Sequence, residues 1–168
     1  CVGPGTYNEN LAIDGKDLRL VGRDGAAATT LDGGGTDSVV HLSGALTPAT
    51  LIQGFTVTNG VSATTGGGIR IEDSAPVLRD LVVTGKLALA GGGIGVDGGA
   101  GFLFERIDCR DNEATLNGGG LALEGDGALS RIVVIGNRAA NGGGLDAGGA
   151  ITLDNARIDG NEATGQGG

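Results

Sequence analysis

Three acidic residues occupy one position of a repeated pattern and are the residues of this chain best suited to binding a cation. Glu72, Asp97 and Glu124 each directly follow a short run of alternating apolar residues. Carboxylates that stack one strand apart repel each other unless solvent screens them or a cation bridges them, and carboxylate clusters suit Ca²⁺. The pattern therefore leaves two interpretations open, a solvated acidic stripe or a weak calcium site.

Few residues of the chain could catalyse a reaction. His41 is the only histidine, and its apolar neighbours on both sides predict that it points outward. Its aligned neighbour in the next turn is Arg70, and no serine and aspartate complete a catalytic triad with it. The chain has no tryptophan and a single tyrosine, so no aromatic platform for sugar stacking is evident. The sequence predicts no catalytic residue and no cofactor other than the calcium of the first hypothesis.

A glycine triplet followed by an aliphatic residue defines the repeat that must position these side chains. The triplets begin at Gly66, Gly91, Gly118 and Gly142, and a fifth copy begins at Gly167. The steps between them are 24–27 residues. Self-similarity at this period indicates a repeat architecture, in which each unit buries its apolar face only by stacking on its neighbours.

Each repeat contains three short segments with alternating apolar residues, the pattern typical of strands. The first segments carry the pairs Ile69/Ile71, Ile94/Val96, Leu121/Leu123 and Leu145/Ala147. The second segments should form one buried column of Leu78, Phe104, Leu129 and Leu153, and the third another of Leu81, Ile107, Ile132 and Ala156. A two-residue corner separates the second segment from the third, and a polar turn is expected after the third.

Charged residues at this corner should pair between successive turns. The alignment places Arg79 near Glu105 and Asp80 near Arg106. Exposed pairs of this kind contribute little to stability.

An asparagine recurs in the expected polar turn, at Asn112, Asn137 and Asn161. Asparagines in identical register can stack as a ladder in which each side-chain amide satisfies the next. The turn over residues 66–90 departs from this pattern, because Lys86 stands where the asparagine is expected.

The whole pattern predicts an all-β fold, a single-stranded right-handed parallel β-helix of about six to seven turns of 24–27 residues. Residues 1–168 are expected to form one β-helix domain and to be a segment of a longer chain. Residues 1–65 make irregular N-terminal turns, with residues 50–59 aligned on residues 76–85, and residues 66–168 make the regular repeats. At about 4.8 Å per turn the rod is roughly 30 Å long.

Composition excludes several classes of protein. The 37 glycines follow no Gly-X-Y period, which excludes collagen, and a net charge of −9 argues against nucleic acid or an anionic membrane as partner. No apolar run is long enough to span a membrane. Cys109 takes an inward position several repeats from Cys1, so no bridge between them is expected. Cys1 is either a lipidated residue or simply the point at which the sequence begins.

Two parts of the sequence resemble known families. Residues 66–168 combine Gly-Gly-aliphatic with the hydrophobic-x-x-Asn of CRDN, VIGN and IDGN, and so resemble the repeats of bacterial polymorphic outer-membrane proteins. The opening VGPGTY with the later LVG and TLD resembles the N-terminal turns of secreted proteins of the pectate-lyase-like superfamily. The resemblance implies a surface or secreted β-helix. It implies no activity, because that superfamily contains lyases, hydrolases, esterases, adhesins and fibres.

These observations favour an extracellular or cell-surface structural or adhesive protein. Neither end of the pattern carries a cap, so we expect it to continue in a longer chain or to stack end to end with copies of itself. Other surface proteins or polysaccharide are the remaining expected partners. The alternative is a carbohydrate-active polysaccharide lyase or hydrolase with the pectate-lyase-like fold.

Overall fold

Short runs of alternating apolar residues form parallel strands in a computed structural model, which describes residues 1–166. The strands of this part are, in chain order, β1 (Gly5–Asn8), β2 (Leu11–Asp14), β3 (Arg19–Val21), β4 (Thr29–Asp32), β5 (Val40–Ser43), β6 (Leu51–Gln53), β7 (Thr56–Thr58), β8 (Ile69–Glu72), β9 (Val77–Thr84), β10 (Leu87–Ala90), β11 (Ile94–Arg110), β12 (Glu113–Asn117), β13 (Leu121–Ile135), β14 (Arg138–Asn141), β15 (Leu145–Ala147), β16 (Ile151–Asp159) and β17 (Glu162–Gln166). The fifth glycine copy predicted at Gly167 lies outside the described residues. No helix within residues 1–166 is long and apolar enough to cross a membrane.

Each strand pairs in parallel with the equivalent strand one turn further along the chain. The first column contains β2, β5, β8, the start of β11, the start of β13 and β15. The second contains β3, β6 and the N-terminal parts of β9 and β16, with the middle of β11 and β13 between them. The third contains β1, β4, β7 and the C-terminal parts of β9, β11, β13 and β16. The molecule is therefore an all-β parallel solenoid of about 6 turns, as the repeat predicted.

A fourth column stands where the sequence predicted only a polar turn. Strands β10, β12, β14 and β17 form a separate four-stranded parallel sheet. Its inward positions hold small residues such as Ala114 and Ala139, both buried. Alanine gives a weak alternation signal, and the register also shifts inside these strands, so the sequence pattern missed them.

The predicted core columns are confirmed except in the last turn. Leu78, Phe104 and Leu129 are buried, as are the three residues predicted beside them in the third column. The expected burial of Leu153 and Ala156 is wrong, since Leu153 is 44% exposed and Ala156 is also exposed. Their pairing with Leu129 and Ile132 is nevertheless as predicted. Leu153 and Ala156 are exposed because no further described turn covers this end of the stack.

The glycine triplet is required for three different reasons, which the copy at Gly91, Gly92 and Gly93 illustrates. Gly91 has a φ of 57°, a conformation that favours glycine. A Cβ on Gly92 would lie 2.4 Å from the carbonyl oxygen of Gly119 in the next turn. A Cβ on Gly93 would lie 2.5 Å from the sulfur of Cys109. The triplet thus allows the fourth column to turn tightly into the first.

The irregular N-terminal turns join the same stack. Residues 51–53 pair with residues 77–79 at the predicted offset, and β5 continues the first column down to β2. Cys109 is buried and Cys1 exposed, and both are free thiols, as expected.

Candidate functional site on the outer face of the first column

The outer face of the first column gathers the chain's histidine and its predicted cation ligands. Alternation in β5 and β8 turns the aliphatic residues into the core and leaves His41 and Arg70 partly exposed. In β11 and β13 the residues at that position, Gly95 and Ala122, are buried, and the acidic residue that follows is the one that reaches the surface. His41 pairs in register with Arg70, and Asp97 pairs in register with both Glu72 and Glu124. The predicted alignments of these residues are therefore confirmed.

Glu72 lies at the centre of a three-residue polar cluster. Its Oε2 is 2.5 Å from Nε2 of His41, and Arg70 donates to its Oε1. Partial burial raises the pKa of Glu72, but the hydrogen bond with His41 and the charge of Arg70 together outweigh that effect and lower it below its usual value. Glu72 is thus an ionised carboxylate with two local partners at neutral pH.

The other two carboxylates of the column have different surroundings. Asp97 accepts a hydrogen bond from the hydroxyl of Thr65. Glu124 is exposed, makes no hydrogen bond or ion pair within the described chain, and lies over Gly148 of the next turn. The three carboxylates share a column but differ in their contacts. Glu72 and Asp97 have hydrogen-bond partners, and Glu124 has none within the described chain.

A cation site at these residues stays a prediction. Within residues 1–166 no group of three or more histidine, cysteine, aspartate or glutamate side chains is arranged to hold a metal ion. Residues Glu72, Asp97 and Glu124 would have to rotate towards one another to share a cation, and Glu72 would then leave its contacts with His41 and Arg70.

The contact between His41 and Glu72 was missed in the sequence, although both residues were placed on the outer face. The two residues lie 31 positions apart. The alignment of His41 with Arg70, and the placing of Glu72 two residues after Arg70 on the same face, is the signal that could have revealed it.

Charged corner residues form a second polar group, as predicted. Arg79 Nε lies 2.8 Å from Glu105 Oε2, and Arg106 donates to both Asp80 and Glu105. Arg131 of the following turn also donates to Glu105. All of these side chains are partly exposed, so the cluster aligns the corners and adds little stability.

The predicted asparagine ladder is confirmed. Oδ1 of Asn137 accepts from the backbone N–H and from Nδ2 of Asn112, both at 3.0 Å. Oδ1 of Asn161 accepts the same pair of bonds from Asn137, both at 2.9 Å. Each Nδ2 also donates to a backbone carbonyl of the preceding turn, such as Val83 for Asn112. The ladder therefore links three turns through two buried amides and the partly buried amide of Asn161.

Lys86 interrupts this ladder. It is only 3% exposed, and its Nζ has no hydrogen-bond partner. Burial lowers the pKa of Lys86 to about 7, against a smaller opposing effect of the Asp32 charge. Asn112 Oδ1, which the missing asparagine would have bonded, is also without a partner.

One surface depression is lined by none of these polar side chains. A depression of about 390 Å³ beside the start of the fourth column is lined by glycines together with Asn59, Val61 and Leu87. It contains no ionisable side chain. This depression therefore has the size of a ligand site without the groups that would catalyse a reaction.

No family model matches the chain, and no curated protein or solved structure matches it significantly.

Proposed function

We propose that this protein is a structural or adhesive β-helix on the outer cell surface or outside the cell. The observation that carries the proposal is the regular register of the stacked turns, in which each column continues from turn to turn. A stack of this kind supplies length and rigidity, and it presents side chains in rows along its surface. The carboxylates of the first column are arranged as such a row.

We also propose that the repeats are of the kind found in polymorphic outer-membrane proteins and that the fold belongs to the pectate-lyase-like superfamily. This assignment is supported by the roles of the matching residues. The recurring Gly-Gly of the motif allows close backbone approach, and the recurring asparagine builds the ladder. An acidic surface with a net charge of −9 suits a protein that stays dispersed outside the cell.

Assembly by end-to-end stacking is part of the proposed function. The last described turn exposes Leu153 and Ile158 at 44% and 45%, although the equivalent residues of earlier turns are buried. A further turn on this end, from a second copy or from a longer form of the chain, would cover them. A head-to-tail contact between copies forms an open filament when the rotation between successive copies does not close a ring.

Analytical ultracentrifugation and electron microscopy of the 168-residue chain test this assembly. We expect concentration-dependent oligomers or filaments, and we expect Leu153→Asp to prevent them. Thr152→Asp is the matched control, because Thr152 is the outward neighbour on the same strand and should leave assembly unchanged. A monomer at every concentration, or equal effects of the two variants, would contradict end-to-end stacking.

The alternative function, a carbohydrate-active lyase or hydrolase, is favoured by one observation, the cluster of His41, Glu72 and Arg70. A histidine beside an ionised carboxylate is a pair suited to proton transfer. Incubation with a panel of acidic and neutral polysaccharides, followed by chromatography of the products, tests it. Cleavage that is lost in both His41→Ala and Glu72→Gln would support the enzyme, and no cleavage of any polysaccharide would reject it.

A further inference from the structure

Lys86 interrupts the asparagine ladder at the point where the fourth column begins, which we call the joint. Lys86 directly precedes β10, the first strand of the fourth column. On one side β10 pairs with β12, with a register shift after Ala88. On its other side it contacts residues 60–66, through the isolated bridges of Val61 with Leu87 and of Thr65 with Ala90 and through backbone hydrogen bonds such as that from the Ser62 N–H to the Leu87 carbonyl oxygen at 2.9 Å. Residues 60–66 form no regular strand, so β10 is the edge strand of the four-stranded sheet at this end.

The Lys86 side chain follows the path of the ladder amides into the interior. Its Cε lies 3.1 Å from the point where a Cβ on Gly68 would be. Nδ2 of Asn112 lies 3.0 Å from the same point of Gly93 in the next turn. The Lys86 amine therefore extends beyond the position of a ladder amide, and Asn112 Oδ1 loses its donor.

No charged group in the described chain forms an ion pair with this amine. Two ionisable groups act on it, the carboxylate of Asp32 and the thiol of Cys109. The Asp32 oxygens already accept from Asn59 Nδ2 at 2.8 Å and from the Gly34 backbone N–H at 2.9 Å. Burial raises the pKa of Cys109 to about 12, so the thiol carries no charge near neutral pH. An ammonium at Lys86 would be a buried charge without a contacting counter-ion, which is costly.

We propose that Lys86 makes this joint proton-sensitive: the neutral amine stays packed in the ladder, and proton uptake releases β10 from the stack. Release uncovers one buried side chain of β10, that of Ala88, because Leu87 and Leu89 are already 44% and 42% exposed. It takes the ammonium into solvent, where the charge is hydrated. This proton-dependent release of β10 does not depend on whether the protein is structural or enzymatic.

The direction of the effect follows from linkage. The pKa of Lys86 is about 7 in the closed state and about 10.4 when the amine is in solvent. Between these values the open state binds more protons, so the closed state gains stability as the pH rises. The equilibrium constant for opening should fall about tenfold per pH unit from about pH 7 to 10, and should be constant below about pH 7.

Nuclear magnetic resonance of the lysine Cε groups tests the first part on the unaltered chain. The protein has two lysines, and the exposed Lys16 is an internal control. We expect the pKa of Lys86 to be about 7, some three units below that of an unperturbed lysine. A Lys86 pKa in the range of an unperturbed lysine would overturn the proposal.

Amide hydrogen exchange tests the release of β10 itself. The Glu113 backbone N–H donates to the Lys86 carbonyl oxygen at 2.8 Å, so its exchange reports opening at the joint. Lys86→Met keeps an unbranched apolar side chain and removes the titrating amine. We expect the protection of Glu113 in the unaltered protein, divided by that in Lys86→Met, to rise about tenfold per pH unit above pH 7. A ratio that does not change with pH would overturn the proposal.

Discussion

At the scale of single residues, the asparagines of the ladder form their hydrogen bonds with neighbours one turn away. The two bonds accepted by Asn137 Oδ1 and the two accepted by Asn161 Oδ1 all come from the preceding turn. A buried group that loses its partner keeps the full cost of desolvation, so such residues respond strongly to substitution. Lys86 Nζ and Asn112 Oδ1 are buried atoms without a hydrogen-bond partner, so they bear this cost.

Substitution of the central ladder residue tests this argument. Asn137→Ala leaves the N–H and Nδ2 of Asn112 without their acceptor, so we expect a loss of about 1–3 kcal/mol in the free energy of unfolding. Asn141→Ala is the matched control, because Asn141 also bonds to an asparagine of the preceding turn, Asn117, but at an exposed site. It should cost less than about 0.5 kcal/mol in urea unfolding. Equal losses would show that the ladder does not stabilise the stack.

At the scale of the strands, burial depends on a neighbouring turn above and below. Leu129 is 1% exposed between Phe104 and Leu153 of its column, whereas Leu153 is 44% exposed in the last described turn. The same residue type at the same position of the repeat therefore contributes differently to stability.

Replacement of each leucine by aspartate measures that difference. Leu129→Asp loses the packing of a buried leucine and buries a carboxylate, so we expect a loss of more than about 3 kcal/mol and fraying of the C-terminal turns. Leu153→Asp should cost clearly less, because its side chain already reaches solvent. Chemical unfolding followed by circular dichroism compares the two, and similar losses would contradict the described end of the core.

At the scale of the whole molecule, the rows of side chains along the rod could act together on a ligand. The row of Glu72, Asp97 and Glu124 carries the calcium hypothesis, although Glu72 is already paired with His41 and Arg70. A cation that binds only the folded state would raise the stability of the whole stack.

Thermal unfolding in millimolar calcium and in chelator tests this hypothesis. If the row binds Ca²⁺, the Tm should be higher with calcium, with a gain of about 2.7 kcal/mol when free calcium is 100 times the Kd. Asp97→Asn, which neutralises the middle of the row, should remove the difference. Asp154→Asn, at an exposed corner of the second column, should preserve it. Identical melting curves for the unaltered chain would favour the solvated acidic stripe.

The amino-acid pattern was enough to predict the parallel stack, the inward columns, the asparagine ladder and the corner pairs of Arg79 with Glu105 and of Asp80 with Arg106. These features repeat at a nearly constant spacing, so the identity of a residue and its place in the period predict its neighbour in the next turn. The fold was needed to reveal the fourth column, where alanines hide the alternation, and the exposure of Leu153, which depends on what covers the end. It also decided the contact of His41 with Glu72 and the isolation of the Lys86 amine. The His41 contact and the isolation of the Lys86 amine each depend on the conformation of a side chain. Several partners lie within reach of each side chain, and packing selects among them.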